Sequence, residues 1–178
     1  PVLPERYQKS RHICLGNIDP ILPMRVLEQA IDPQFVVCDT MNLWINLMKQ
    51  DLLKLLKRVH VFILNDSEAR LLTEEPNLIK AAKQIRQMGP EILIIKKGEH
   101  GAMLFTQDTI FSAPAYPMEI IFDPTGAGDS FAGGFSGYLH QTRDLSPENI
   151  KRAVIYGSTM ASFCVEKFST KGLEDLSY

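Results

Sequence analysis

Residues 123 to 135 read Asp123-Pro124-Thr125-Gly126-Ala127-Gly128-Asp129-Ser130-Phe131-Ala132-Gly133-Gly134-Phe135. The stretch follows a short apolar run, Glu119 to Phe122, and opens an apolar helical pattern, so it joins an expected strand to an expected helix. Amides at a helix start have no intrahelical acceptor, and the helix dipole favours negative charge there. Gly126 and Gly128 put no side chain in the path of an approaching phosphate. The loop therefore reads as an anion hole. It is neither of two familiar glycine loops. A dinucleotide fingerprint needs glycine where Phe131 stands, and a P-loop needs lysine where Gly134 stands. Asp129 falls in the first helical turn, beside the expected phosphate. Two readings of that carboxylate are open. It is a general base that takes the proton of an attacking hydroxyl, or it complements the helix dipole.

The elements that position this loop alternate along the chain. His12 to Leu15, Phe35 to Cys38, Val59 to Leu64 and Ile92 to Ile95 are apolar runs of strand length. Between them lie helical patterns: one opened by Pro23 and running to about Ala30, one carrying Trp44, Met48, Leu52 and Leu55, a short one over 67–72, and one carrying Leu78, Ala82 and Ile85. Such alternation predicts a mostly parallel sheet covered by helices, an α/β fold. Further on, Ala102 to Thr106 and Thr109 to Ser112 flank Gln107-Asp108 as a hairpin. Glu119 to Phe122 reads as a last strand. Two long helices follow, the first from about Gly126 to Gln141 and the second after the cap Ser146-Pro147. The stripe of the second is Ile150, Val154, Gly157, Ala161 and Cys164.

Composition narrows the class. The chain has 178 residues and a formal net charge of −2, which argues against a nucleic-acid surface. Lys54, Lys57 and Arg58 share a helix with apolar residues and read as a solvated face. Cys14, Cys38 and Cys164 sit apart in apolar runs, with no zinc-ligand spacing, and read as small hydrophobes in a reducing cytoplasm. No segment reaches a membrane span, and the start around Pro4 to Arg6 lacks a signal-peptide core.

The loop, with its Gly-Ala-Gly-Asp core, preceding Asp-x-Thr and following Phe-Ala-Gly-Gly, resembles the C-terminal signature of the ribokinase-like, or PfkB-type, carbohydrate kinases. That resemblance implies a three-layer Rossmann-like ribokinase fold and ATP-dependent phosphorylation of a hydroxyl on a small molecule. It makes Gly126, Ala127 and Gly128 the anion hole and Asp129 the catalytic base. Asn65-Asp66-Ser67-Glu68 is similar to the family's Asn-x-x-Glu motif, tied to magnesium and phosphate, with Glu68 acting through water; a capped helix start is the plain alternative. Lys96-Lys97-Gly98-Glu99-His100-Gly101 resembles the nucleotide-contacting turn. Gly98 and Gly101 match, and Lys96 replaces the usual hydroxyl residue. Ser158, after Gly157, resembles the segment beside the adenine, with close helix packing as the alternative. Asp123 and Thr125 match positions that bind potassium in some relatives, or simply fix the loop. Asp39 and Asn42 follow a strand end, where parallel sheets bind ligands; they face the cleft or cap a helix.

The resemblance covers nearly the whole chain, residues 1–178 as a single ATP-binding part, but only the C-terminal part of the family. Full members begin with further strands and helices that supply the substrate site and a lid, so that part is expected to be missing here. The substrate class stays open between a sugar and a nucleoside, the second hinted at by the adenosine-kinase-like Val165-Glu166-Lys167-Phe168. An inactive nucleotide-binding fragment or partner module is the third reading. The missing part implies self-association or pairing with a chain that carries it.

Overall fold

The computed structural model describes residues 2–174 and 176. Two compact units emerge: Pro1–Lys96 with Phe105–Ile110, and Lys97–Leu104 with Phe111–Tyr178. The first unit runs α1 (Glu5–Gln8), β1 (His12–Leu15), α2 (Ile21–Gln29), β2 (Phe35–Asp39), α3 (Asn42–Leu47), α4 (Lys49–Leu56), β3 (Val61–Asn65), α5 (Asp66–Thr73), α6 (Leu78–Gln87) and β4 (Ile92–Lys96). Each of the first three strand pairs is parallel, with Val37 opposite Val61 and Val61 opposite Ile92. Apolar runs this short, without alternation, suit strands covered on both faces. Accordingly Val36, Phe62, Ile63, Leu93 and Ile94 are fully enclosed.

Three expectations need correction here. β1 is not a buried strand: Leu15 alone is buried, and Cys14 is exposed. It stands at one end of the sheet order with β2 as its neighbour. α2 begins at Ile21 rather than Pro23, because Asp19 Oδ1 accepts the Ile21 amide at 2.8 Å. Pro23 sits in the first turn, where its missing N–H costs nothing. The helix drawn through Trp44 and Leu55 is two helices, broken at Met48, whose φ of −134° and ψ of 34° leave the helical region.

The second unit holds a 3₁₀ turn at Gly98–His100, β5 (Ala102–Phe105) up to Leu104, β6 (Ile110–Ala113) from Phe111, α7 (Ala127–Thr142), α8 (Pro147–Val165) and α9 (Lys171–Glu174). The hairpin between β5 and β6 closes with the Thr106 amide on the Thr109 carbonyl at 2.9 Å. All six strands form one sheet in the order β1-β2-β3-β4-β5-β6. Glycine lets α7 and α8 approach closely. A Cβ on Gly134 would lie 2.6 Å from the Met160 side chain, and one on Gly157 would lie 2.7 Å from the Phe131 carbonyl oxygen. Ser146 caps α8 by accepting the Asn149 amide, with Pro147 in the first turn. Ala161, placed on the buried stripe, is half-exposed, and Ser162 is buried beside it.

Glu119 to Phe122 is not a strand. Ile120, Ile121 and Phe122 are 70%, 55% and 66% exposed. The amides of Phe122 and Asp123 both turn to one carbonyl, that of Val165, at the end of α8. An apolar run becomes a strand only beside a ladder of acceptors, and a single helix-end carbonyl offers none.

Candidate active site

In the second unit, Gly126 forms the N-cap of α7 with φ +83°, a left-handed conformation that glycine adopts without strain. The Ala127 amide turns back to the Pro124 carbonyl at 3.2 Å, and the Ser130 amide takes the Gly126 carbonyl at 2.8 Å. Gly128 and Asp129 lie between those two bonds, so their amides are the ones that a helix start offers to an anion. Ala127, carried into the hole by resemblance, has its amide engaged in the turn. Asp129 is exposed in the first turn of α7. Asp123 Oδ1 accepts the Thr125 amide at 2.9 Å, and the Thr125 amide and hydroxyl hold the Asp123 carboxyl below its ordinary range. Cys164 Sγ lies 3.6 Å from the Thr125 carbonyl oxygen, so α8 underpins the loop.

The second turn is shaped by its glycines. Gly98 has φ +55° and Gly101 φ +82°. The Lys97 amide reaches the Gly101 carbonyl at 2.7 Å, and the Gly101 amide reaches that of Gly98 at 3.0 Å. A Cβ on Gly101 would fall 2.0 Å from the Ala113 carbonyl oxygen, whereas Gly98 opens on free space. Ser158 lies half-buried on α8, one residue after the packing glycine Gly157.

In the first unit, Asn65 caps α5. Its Oδ1 accepts the Glu68 amide at 2.8 Å and the Ser67 hydroxyl at 2.6 Å, while Glu68 Oε2 accepts the Asn65 amide at 2.7 Å. This reciprocal pair is a capping box. The plain reading of the motif is thus realised, and any cation role is added to it. Glu68 is 8% exposed, and burial pushes its carboxyl up. The Asn65 amide and Lys96 oppose that shift, and Asp39 adds to it.

Asp39 closes β2 and is buried. Its Oδ1 accepts the Thr40 amide at 2.7 Å, and its Oδ2 lies 3.4 Å from Lys96 Nζ at the end of β4. Asn42 is exposed in the first turn of α3 and the N-cap itself is Met41, so Asn42 is not the cap. The pairing of Asp39 with Lys96 escaped sequence reading. So did a cavity of about 750 Å³ beside α7 and α8, with Gly133, Gly137, Tyr138, Tyr156, Thr159 and Phe163 among its walls. None of Gly126 to Asp129 lines that cavity. Among the described residues no cluster of His, Cys, Asp and Glu suits a metal ion, and no helix is long and apolar enough to cross a membrane.

With this geometry in place, comparison with known proteins defines the class. The sequence profile of the pfkB family carbohydrate kinases matches residues 24–175, and the chain belongs to that family. It is 30% identical over 141 residues to a cytidine kinase of Thermococcus kodakarensis, covering 76% of this chain and 50% of that protein. Among solved structures, Anopheles gambiae adenosine kinase in complex with P1,P4-di(adenosine-5) tetraphosphate superposes with a TM-score of 0.81 at 20% identity, over 96% of this chain and 55% of that one. A putative Ribokinase II from E. coli in complex with ATP and Mg2+ gives 0.75 at 19% identity, over 89% and 53%. These two likenesses establish the α/β ribokinase fold. The chain spans about half the length of the relatives it matches.

Proposed function

We propose that residues 1–178 form one ATP-binding and catalytic part of a kinase that phosphorylates a hydroxyl of a small molecule, in first place a sugar. The observation that carries this reading is the start of α7. A left-handed glycine cap, two unspent amides and a first-turn carboxylate stand together in a chain of the pfkB family. Asp129 takes the proton of the substrate hydroxyl. The hydroxyl oxygen bonds to the terminal phosphorus of ATP as the bond from that phosphorus to the ADP oxygen breaks. The Gly128 and Asp129 amides meet the charge that develops on the transferring group. A nucleoside substrate is the second reading, favoured by the cytidine kinase likeness.

Magnesium suits the oxygen donors at the start of α5, which are hard and few, as that ion prefers. Glu68 would hold it through water, with Asn65 fixing the Glu68 carboxylate. Bound there, it would supply positive charge against that of the phosphates. Gly98, Gly101 and Ser158 serve the nucleotide in this reading. Asp123, kept ionised by Thr125, serves with it as a potassium site. Free thiols at Cys14, Cys38 and Cys164 suit action in the cytoplasm. The partner is a small molecule rather than nucleic acid or membrane. The place of β1 at the end of the strand order supports self-association or pairing with a chain that completes the domain. The test is ATP consumption by a full-length family protein containing these residues, over a panel of sugars and nucleosides with magnesium, with potassium and sodium compared. Turnover on a sugar is expected. No turnover on any hydroxyl compound defeats the reading.

A further inference from the structure

The cavity between α7 and α8 is of ligand size. Its volume of about 750 Å³ lies within the roughly 300–1,000 Å³ of small-molecule sites. Its walls are largely aromatic and apolar, as in such sites, with Tyr138, Tyr156, Met160, Phe163 and Leu173 among them. All of its walls belong to the second unit. Neither Gly98, Gly101 and Ser158 nor the Gly126 loop is among them. The residues assigned above to the nucleotide therefore leave this hollow unexplained, and what it holds does not depend on that assignment.

Helix packing accounts for Gly134 and Gly157, which let α7 and α8 close on each other. It does not account for Gly133 and Gly137. A Cβ on either would meet nothing within 4 Å, and both line the cavity. Four positions apart, they share one face of α7. Glycine inside a helix is destabilising beside alanine, and here no close contact requires it. The two leave a bare strip of backbone on which a flat ring can lie. Next to that strip the rings of Tyr138 and Tyr156 stand 5.0 Å apart, tilted by 34°, and Tyr156 is 38% exposed. Rings so placed have faces and edges left for a further aromatic group.

The cavity also has a charged wall, Arg152, which is exposed. Among the described residues none forms a hydrogen bond or ion pair with it. Glu148, four positions earlier, is bonded to Lys151 at 2.7 Å and feels Arg152 only as the weakest influence on its carboxyl. A guanidinium stays charged and offers five donors in a planar fork, suited to carboxylate, sulfonate or phosphate oxygens. An aromatic hollow with such a group in its wall matches a ligand that is flat and apolar at one end and anionic at the other.

We propose that the cavity between α7 and α8 is a binding site for a small planar aromatic anion, with Tyr138 and Tyr156 against its ring and Arg152 at its charged end. The site is separate from the one at the start of α7, and it stands whether or not that one handles ATP.

The test titrates two fluorescent probes into the chain: anilinonaphthalene sulfonate, and phenylnaphthylamine, which has the same aromatic frame without the charge. It uses the wild type, Gly137→Leu, Tyr156→Ala and Arg152→Met, with thermal unfolding of each. The wild type is expected to bind the sulfonate saturably and more tightly than the neutral amine. Gly137→Leu puts a side chain into open space, so it should abolish binding of both probes while unfolding no earlier than wild type. Tyr156→Ala removes an exposed part of the wall and should weaken both probes without unfolding the chain. Arg152→Met should weaken the sulfonate about 10- to 100-fold, the size of one charge-assisted hydrogen bond, and leave the amine unchanged. Undiminished sulfonate binding by either Gly137→Leu or Tyr156→Ala puts the probe elsewhere and overturns the assignment. Equal affinity for the two probes, or sulfonate binding indifferent to Arg152→Met, reduces the cavity to apolar surface and overturns it as well. A wild-type chain that binds neither probe, whether single or self-associated, does the same.

Discussion

Asp129 stands exposed in the first turn of α7, two residues after Ala127 closes onto Pro124. Asp129→Asn keeps that shape and removes the proposed proton acceptor. In a complete enzyme turnover should fall roughly 10²- to 10⁴-fold with ATP affinity little changed, and steady-state kinetics decide it. Glu68 supports a second prediction. Burial raises its carboxyl above the ordinary 4.5. An acid whose folded value is raised contributes stability below its unfolded value, and that contribution is lost as pH rises through the folded value. Glu68→Gln does not titrate. Wild type should therefore lose stability relative to this variant as pH rises above the ordinary 4.5, read by urea unfolding at each pH. A difference independent of pH would show that burial has not moved the group. The same variant should need more magnesium for half-maximal activity in the complete enzyme, because a hard cation loses a carboxylate. An unchanged magnesium titration would leave Glu68 as the capping residue alone.

Among the elements, the two glycines of the 98–101 turn separate conformation from contact. Both have positive φ, but only Gly101 has a carbonyl oxygen where a Cβ would go. Gly98→Ala should cost about 1 kcal/mol. Gly101→Ala should cost more, about 1–3 kcal/mol for the backbone alone and further for the overlap with Ala113. Equal losses in chemical denaturation would contradict this geometry. The pattern of elements was open to reading from sequence wherever a period repeated, as in α5 to β4 and in α8. It misled where a feature depends on partners. Ile120 to Phe122 has strand chemistry but no ladder beside it, and Met48 breaks a helix whose apolar spacing runs on unbroken. The loop at Gly126 was readable because its parts are neighbours in sequence. The Asp39–Lys96 pair was not, since 57 positions separate its members and only the strand register brings them together.

At the scale of the whole molecule, the residues assigned to nucleotide handling are present, while the chain is about half as long as its relatives. Alone it should phosphorylate neither sugar nor nucleoside at a useful rate, and it should associate. ATP consumption over a substrate panel, with mass from light scattering, tests both; robust turnover by a monomer would refute them. The end position of β1 determines what kind of association is open to it. A strand can meet its own copy only across a two-fold axis, running antiparallel, and the pair then has no second β1 to offer. Copies joined in that way stop at a dimer. Copies joined from β1 of one to β6 of the next repeat the same step, and unless the rotation closes a ring they run on without end. The mass distribution therefore reports symmetry: a sharp twofold mass means a closed pair, and a broad, concentration-driven series means an open filament.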